Sequence, residues 1–167
     1  MFNHDESFFV EKEVAVSARK AWEIISRPAG LTSWHPFMAK HTAERWDGVG
    51  STDHLTYYSG FEYDREVIEW IEGTGYDLRV TDRKNRENTA IWRITPVDGT
   101  HCILRITGRV DFIRRLPRPI RWALLKFKLR PVFSQYFFQI LEGFAYYAET
   151  GEQVKRNQFG PHPIMSP

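Results

Sequence analysis

Residues 31–38 read Leu-Thr-Ser-Trp-His-Pro-Phe-Met, so a histidine stands between a tryptophan and a proline. A histidine near its ordinary pKa could anchor a polar ligand atom or act as a general base, and Trp34 would then form an aromatic wall beside His35. Pro36 fixes its own φ and restricts His35 to extended geometry. The same residues therefore also fit a rigid corner, in which Trp34 packs on the core and His35 is partly solvated.

A second group of polar candidates lies on residues 61–72, which alternate as a strand. Tyr63, Arg65 and Glu69 share one parity, and the opposite parity carries four carboxylates, so the first set is expected to face the covered side. A buried arginine needs an anionic partner. For Arg65 the partner is either a side chain on a neighbouring strand or a carboxylate or carbonyl of a ligand.

The preceding segment, residues 52–58, has two faces that the sequence does not distinguish. One face carries His54 and Tyr58, and the other carries Asp53, Leu55 and Tyr57. If the first face points inward, its polar groups join an apolar hollow, which is the mixture that a ligand-binding site needs. The sequence does not identify catalytic residues, and the weak candidates are His35, His54, Tyr58 and Arg65.

The sequence predicts neither a metal site nor a cofactor. The six histidines, at positions 4, 35, 41, 54, 101 and 162, show no His-x-His or His-Glu-x-x-His spacing. Cys102 is the only cysteine, and it falls on the apolar parity of its segment, so we interpret it as an inert core thiol. The chain has no nucleophile elbow, phosphate-binding loop or dinucleotide-binding glycine pattern at a strand–helix junction.

Length and composition limit the number of domains and the classes of partner that this protein can have. The 167 residues favour a single domain, which we place at residues 1–150, followed by a loosely ordered tail at 151–167 that lacks periodicity. The net charge of +2 is too small to indicate nucleic-acid binding. A lone cysteine, an acidic N-terminal stretch and the lack of an 18-residue apolar run lead us to expect a cytoplasmic protein.

One segment is strongly basic. Between Ile113 and Leu141 there are seven Arg or Lys residues and no Asp or Glu. Such a segment is either a solvated helix face or a weak peripheral contact with a membrane surface, here through residues 114–130 around Trp122, Leu125 and Lys126.

Hydrophobic periodicity predicts a sheet of seven strands. Residues 7–16 alternate as a strand, and Ser17 is positioned to cap a helix over residues 18–26, which a second short helix follows. Six further alternating segments lie between residues 38 and 113. The turns between them are short and rich in Gly, Asn, Asp and Ser, which indicates an antiparallel meander with one covered face.

The last part of the chain is predicted to be helical. A first helix starts near residue 118 with Ile120, Leu124 and Phe127 on one stripe, and Pro131 begins or kinks a second helix. The second helix has a long apolar stripe that is expected to cover the sheet. This stripe consists of Phe133, Phe137, Ile140, Phe144 and Tyr147.

Three stretches of sequence together resemble the START-like, or SRPBCC, superfamily over roughly residues 7–150. They are VAVSARKAWEIISRPAGLTSWHPFM near the start, Gly48-Val49-Gly50-Ser51 before a hairpin strand, and FSQYFFQILEGFAYYAE at the end, where Glu149 closes the helix. The resemblance implies an α+β helix-grip fold. In that fold a curved seven-stranded antiparallel sheet, with two short helices after the first strand, wraps a long C-terminal helix and leaves an apolar cavity between them.

The resemblance also implies a hydrophobic small molecule as partner, such as a lipid, polyketide or quinone, bound in that cavity by a monomer or homodimer. A polyketide cyclase or dehydratase acting in the same cavity is the alternative, because some members cyclise aromatic polyketides. We prefer binding, since no two titratable groups have a spacing that requires acid–base catalysis. The predicted ligand-contacting residues are Trp34, His35, Tyr63, Arg65, Leu78, Trp92, Ile106, Val110, Phe133, Phe137 and Ile140.

Overall fold

The computed structural model describes residues 7–167. Its strands are β1 Ser7–Val14, β2 Met38–Ala43, β3 Thr52–Tyr57, β4 Glu62–Ile71, β5 Gly75–Asp82, β6 Glu87–Pro96 and β7 Cys102–Arg109. Its helices are α1 Ala18–Ile25, α2 Leu31–Trp34, α3 Arg118–Leu124 and α4 Arg130–Thr150. A 3₁₀ turn, Asp111–Arg115, precedes α3, and a π-helical turn, Leu125–Leu129, joins α3 to α4. No helix among these residues is both long and apolar enough to cross a membrane.

The seven strands form one sheet in the order β1-β7-β6-β5-β4-β3-β2, and every neighbouring pair is antiparallel. Strands β2 to β7 therefore form the predicted meander, and β1 lies beside β7. Helix α4 covers one face of the sheet with buried side chains that include Phe137, Ile140 and Phe144. This arrangement confirms the predicted α+β fold with a seven-stranded sheet, two short helices after β1 and a long C-terminal helix.

Local sequence signals explain the ends of the helices. The Ser17 side chain accepts a hydrogen bond from the Lys20 N–H (3.2 Å), as its position before α1 predicts. Pro131 stands in the first turn of α4, directly after the π-helical turn, so it marks the interruption of the helix that the sequence predicts. Gly151 ends α4 with a φ of 74°, a left-handed conformation that glycine adopts without strain.

Helix α4 and the corner after α2 are in very close contact. A Cβ placed on Gly143 of α4 would lie 2.3 Å from the carbonyl oxygen of Trp34. The lack of a side chain at position 143 therefore lets the backbone of the corner rest directly on the helix.

A bulge in β4 changes which residues face the sheet interior. The pairing with β5 shifts register between Val67 and Glu69, so β4 has one extra residue, Ile68. Beyond this residue the alternation of inward and outward side chains along β4 is reversed. As a result Glu69, which we predicted to face inward, is exposed, whereas Trp70 turns inward and packs edge-on against Trp22 of α1 (4.9 Å between ring centroids).

The structure also settles the orientation of β3. Asp53, Leu55 and Tyr57 are buried on the inner face. The other face is the outer one and carries His54, whose Nδ1 lies 2.7 Å from Asp64, also on the outer face.

The buried and exposed residues of α3 and of the π-helical turn differ from the predicted apolar stripe. Ile120 and Phe127 are exposed, and Leu125, which we had grouped with a membrane contact, is buried instead. The π-helical turn accounts for Phe127, because the wider turn rotates its residues relative to a regular helical period. Ile120 lies before that turn, in α3, which has no buried residue.

Residues 151–167 differ from the expected loosely ordered tail. After α4 the chain packs back on the domain, and Val154, His162 and Met165 are buried. A short antiparallel bridge between His162 and Ser166 turns the chain over the end of β3. The lack of periodicity in this segment thus reflects an irregular path rather than disorder.

Candidate functional site

A cavity of about 90 Å³ lies between the inner face of the sheet and α4. Most of its wall is apolar, with Leu78 and Ile106 on the sheet side and Phe133, Phe137 and Ile140 on the helix side. Gly108 contributes to the same wall. A Cβ at this position would lie 2.8 Å from both Phe8 and Phe137, so the two stacked rings depend on its absence.

The structure places all the predicted ligand-contacting residues except Trp34 at this cavity. Trp34 is buried beside it, with its ring edge-on to Trp92 (5.9 Å) and Phe144 (5.4 Å), so it acts as a core residue. The residues that line the cavity as predicted are His35, Tyr63, Arg65, Leu78, Trp92, Ile106, Val110, Phe133, Phe137 and Ile140. Contact of these residues with a ligand stays a prediction.

Two of the weak catalytic candidates lie outside the cavity. His54 is on the outer face of β3, and Tyr58 is exposed, with the guanidinium of Arg156 over its ring at 4.7 Å. Because β3 buries the opposite parity, the side chains of β3 that reach the cavity are Leu55 and Tyr57.

His35 is held at the polar end of the cavity by the corner that the sequence indicated. Its backbone is extended, and its N–H donates to the Leu31 carbonyl (2.8 Å) at the end of α2. The ring is buried; its Nδ1 accepts the N–H of Phe37 (3.2 Å) and its Nε2 lies 3.2 Å from the hydroxyl of Tyr136. Burial, aided by the positive charge of Arg65, lowers the pKa of His35 to about 3. The imidazole is therefore neutral at physiological pH.

These contacts orient a chain of hydrogen bonds. Because Nδ1 of the neutral His35 accepts a backbone N–H, its proton is on Nε2 and is donated to Tyr136. The hydroxyls of Tyr136 and Tyr57 lie 2.5 Å apart, and either of them can donate to the other. Burial raises the pKa of both tyrosines, so both stay protonated. Because His35 donates to Tyr136 and one tyrosine hydroxyl donates to the other, one hydroxyl proton of the pair has no partner among residues 7–167 and is available to an acceptor in the cavity, which both tyrosines line.

The sequence contained a signal for one of these tyrosines. Tyr136 lies three residues after Phe133 and four before Ile140, so it shares their helix face, but it was not included in the predicted stripe. Tyr57 could not be assigned, because both faces of β3 carry a mixture of polar and apolar residues.

Arg65 is neutralised by a cross-strand carboxylate. Asp53 of β3 stands directly opposite Arg65 of β4, and the guanidinium donates to both carboxylate oxygens (2.9 and 2.5 Å). His41 completes the group, since its Nδ1 accepts the Leu31 N–H and its Nε2 lies 2.7 Å from Asp53. The guanidinium also lies over the ring of Trp46 (5.1 Å).

The charges of this buried group stabilise one another. Burial opposes ionisation of Asp53, but Arg65 outweighs it and holds the pKa of the carboxyl below its ordinary value. Burial likewise opposes the charge on Arg65, and the carboxylate raises the pKa of the guanidinium above its ordinary value. Arg65 therefore lines the cavity as a member of an ion pair with Asp53, so its guanidinium is not available to pair with a ligand carboxylate.

A second polar region of the cavity wall lies three strands away from β3. On β6, Thr89 donates to Asp111 (2.7 Å) and accepts from Arg109 (3.0 Å), while Arg109 also donates to Asp111 (2.7 Å). The side-chain oxygen of Asn88 is buried and has no hydrogen-bond partner among the described residues. No pattern in the sequence indicated this region. Residues 7–167 contain no group of three or more His, Cys, Asp or Glu side chains arranged to hold a metal ion.

Replacing Asp53 by Asn should destabilise the protein by about 3–5 kcal/mol, because the charge of Arg65 would stay buried without a counter-ion. Urea unfolding measures the effect. Glu66→Gln is the matched control, since it removes an exposed cross-strand ion pair with Arg79, between β4 and β5, and should cost at most about 1 kcal/mol. Similar losses in the two variants would contradict the buried pair.

Stability should fall as the pH is lowered from 7 to 5. The folded-state pKa of His35, about 3, lies below its unfolded value, so this residue contributes stability above about pH 6.5 that is lost progressively as the unfolded chain takes up a proton. The expected loss between pH 7 and pH 5 is about 2 kcal/mol. In His35→Gln the slope should decrease without vanishing, because burial also lowers the pKa of His162. An unchanged slope would contradict the neutral imidazole.

Comparison with known proteins agrees with this architecture. Residues 6–143 match the family model described as polyketide cyclase/dehydrase and lipid transport. A comparison with curated protein sequences finds no match.

Several solved structures share the fold. DynU16, from the dynemicin biosynthetic locus, has a TM-score of 0.66 at 17% identity; the match covers 91% of this chain but 51% of DynU16, so the chain spans about half of that protein's length. The Zhui aromatase/cyclase from Streptomyces sp. R1128 has a TM-score of 0.63 at 17% identity, with 86% and 93% of the two chains covered. Truncated norcoclaurine synthase from Thalictrum flavum has a TM-score of 0.62 at 16% identity, with 86% and 93% covered.

At these identities the likeness to the solved structures concerns the fold alone. The family model is more informative, because it matches most of the chain, from β1 into α4. This protein belongs to the polyketide cyclase/dehydrase and lipid transport family.

Proposed function

We propose that this protein binds a small, mostly apolar molecule in the cavity between the sheet and α4, and that the hydroxyl of Tyr57 donates a hydrogen bond to an acceptor on that molecule. The observation that carries the proposal is the chain of hydrogen bonds from His35 through Tyr136 to Tyr57, which leaves one hydroxyl proton of the tyrosine pair without a protein partner at an apolar cavity. A buried donor without a partner costs free energy. A ligand acceptor would remove that cost.

The size of the cavity limits the ligand. Pockets that enclose drug-sized molecules measure about 300–1,000 Å³, and a cavity of about 150 Å³ holds benzene. The cavity here, of about 90 Å³, is therefore suited to a molecule of about one ring, admitted by small shifts of the lining side chains. The fold accepts such molecules elsewhere, since norcoclaurine synthase has been solved with dopamine and hydroxybenzaldehyde.

The chemistry of the lining favours binding over catalysis. A histidine with a pKa of about 3 is a weak base, and the raised pKa values of Tyr57 and Tyr136 keep both hydroxyls protonated. Arg65 is paired with Asp53. In the alternative, a cyclase or dehydratase acting in this cavity, Tyr57 would polarise a carbonyl of the substrate by hydrogen bonding.

The proposal predicts a selective effect of Tyr57→Phe. Benzaldehyde offers a carbonyl acceptor and toluene does not, so the variant should weaken benzaldehyde binding about tenfold, the equivalent of one hydrogen bond, and leave toluene binding unchanged. Chemical-shift titration measures both affinities. Tyr58→Phe is the matched control, because Tyr58 is the adjacent tyrosine and lies outside the cavity. Equal losses for the two ligands would argue against a hydrogen bond from Tyr57.

We also propose a peripheral contact with anionic membrane surfaces through α3 and the π-helical turn. Ile120, Trp122 and Phe127 are 56%, 55% and 69% exposed, and the two aromatic rings contact each other at 5.9 Å. Lys126 lies over the Trp122 ring at 4.7 Å, and the surrounding segment carries no acidic residue between Ile113 and Leu141. Exposed aromatic rings next to cations are typical of segments that rest in the membrane interface.

The membrane contact predicts salt-sensitive sedimentation with vesicles. The protein should pellet with vesicles of about 30% phosphatidylserine at about 0.05 M salt and be released at about 0.5 M salt, because the attraction is screened. The double variant Trp122→Ala/Phe127→Ala should lose most of the pelleting. Phe61→Ala, which removes an exposed ring from the β3–β4 hairpin, should not. Failure of the wild-type protein to pellet at low salt would exclude the contact.

A further inference from the structure

Residues 152–167, which we call the C-terminal strap, lie beyond the region that matches the family model. The strap runs from the corner after α2 to the end of β3. Its backbone donates from Val154 to the Ser33 carbonyl (3.0 Å) and from Asn157 to the Pro36 carbonyl (3.1 Å). Near its end, the Met165 carbonyl accepts the N–H of Ser59 (3.1 Å). The strap therefore follows the side of the molecule where His35 and Tyr57 are located.

The strap is anchored by a buried histidine. Nε2 of His162 donates to the Val132 carbonyl of α4 (3.0 Å), and Nδ1 accepts the N–H groups of Ile164 (3.3 Å) and Met165 (3.2 Å). The ring is fully buried, and its centroid lies 5.7 Å from that of Tyr136. His162 thus fixes the backbone of the next residues beside the tyrosine pair.

A second anchor comes from α4. The side-chain amide of Gln139 donates to the carbonyls of Phe159, Gly160 and Pro161, at 3.1, 3.1 and 3.3 Å. The two hydrogens of the amide are shared among these three carbonyls, which belong to a segment without regular secondary structure. The path of the strap is therefore defined by the contacts of His162 and Gln139 with α4 and by the backbone hydrogen bonds with Ser33, Pro36 and Ser59.

One side chain of the strap reaches the cavity. Met165 is 3% exposed and forms part of the wall, whereas its neighbour Ile164 is 37% exposed and does not. Methionine is unbranched and adapts its shape, so it fills an irregular gap without fixing neighbouring side chains. The cavity is thus closed near the tyrosine pair by a residue that is not part of the sheet or of a helix.

We propose that Met165 is the size-determining residue of the ligand site, and that the strap limits the ligand to about one ring. This inference rests on the proposed binding function. Shortening Met165 leaves a void continuous with the cavity, because the backbone around it is held by His162 and Gln139 and cannot collapse freely. A larger side chain at the same position reduces the cavity.

The test compares benzaldehyde with 2-naphthaldehyde, which carry the same carbonyl on one and two rings. Wild-type protein should bind benzaldehyde at least tenfold more tightly than 2-naphthaldehyde by chemical-shift titration. Met165→Ala should reverse or abolish this preference, and Met165→Phe should weaken binding of both aldehydes at least tenfold. Ile164→Ala is the matched control and should keep the wild-type preference, because Ile164 does not line the cavity.

The outcomes separate this inference from the binding function itself. If wild type prefers benzaldehyde and a folded Met165→Ala keeps the same preference, the size-determining role is wrong and the binding function stands. If Met165→Ala does not fold, Met165→Phe decides, since unchanged affinities in that variant would also exclude the role. If neither aldehyde binds to wild type or to any variant, both proposals fail.

Discussion

A single α-helix cannot cover the inner face of a seven-stranded sheet, and most features of this structure follow from that constraint. Strands lie about 4.8 Å apart, so seven of them extend over roughly 29 Å, whereas a helix with its side chains is about 10–12 Å wide. The rest of the face is covered by short pieces, α1, α2, the 3₁₀ turn and the C-terminal strap. Each contributes a few buried side chains, such as Trp22, Leu31, Ile113 and Met165. The cavity is the space that these pieces leave beside α4.

The polar groups around that space are arranged so that it carries no net charge. The charge of Arg65 is neutralised by the ion pair with Asp53, and the low pKa of His35 keeps the imidazole neutral. The two tyrosines remain protonated because burial raises their pKa values. A cavity that presents hydrogen-bond donors without charge is suited to neutral acceptors such as carbonyl groups, because an ionised ligand would lose more hydration than these groups can replace.

The sequence predicted the regular elements well and the irregular ones poorly, for identifiable reasons. Strand parity placed Arg65, Leu78, Trp92 and Ile106 on the inner face, because an uninterrupted strand keeps its period. Parity failed at Glu69, where a bulge adds one residue, and the helical stripe failed at Phe127, where a π-helical turn does the same. The strap could not be predicted at all, since its order comes from long-range contacts of His162 and Gln139 and not from any local pattern.

The contact between Gly143 and the Trp34 carbonyl has a mechanical consequence. His35 belongs to the corner and Tyr136 belongs to α4, and at position 143 the corner and the helix meet backbone to backbone, with no flexible side chain between them. The corner and this part of α4 therefore form one rigid frame that carries both of these partners. Motions that admit a molecule therefore occur elsewhere in the wall, so the hydrogen bond between His35 and Tyr136 is kept while the entrance opens.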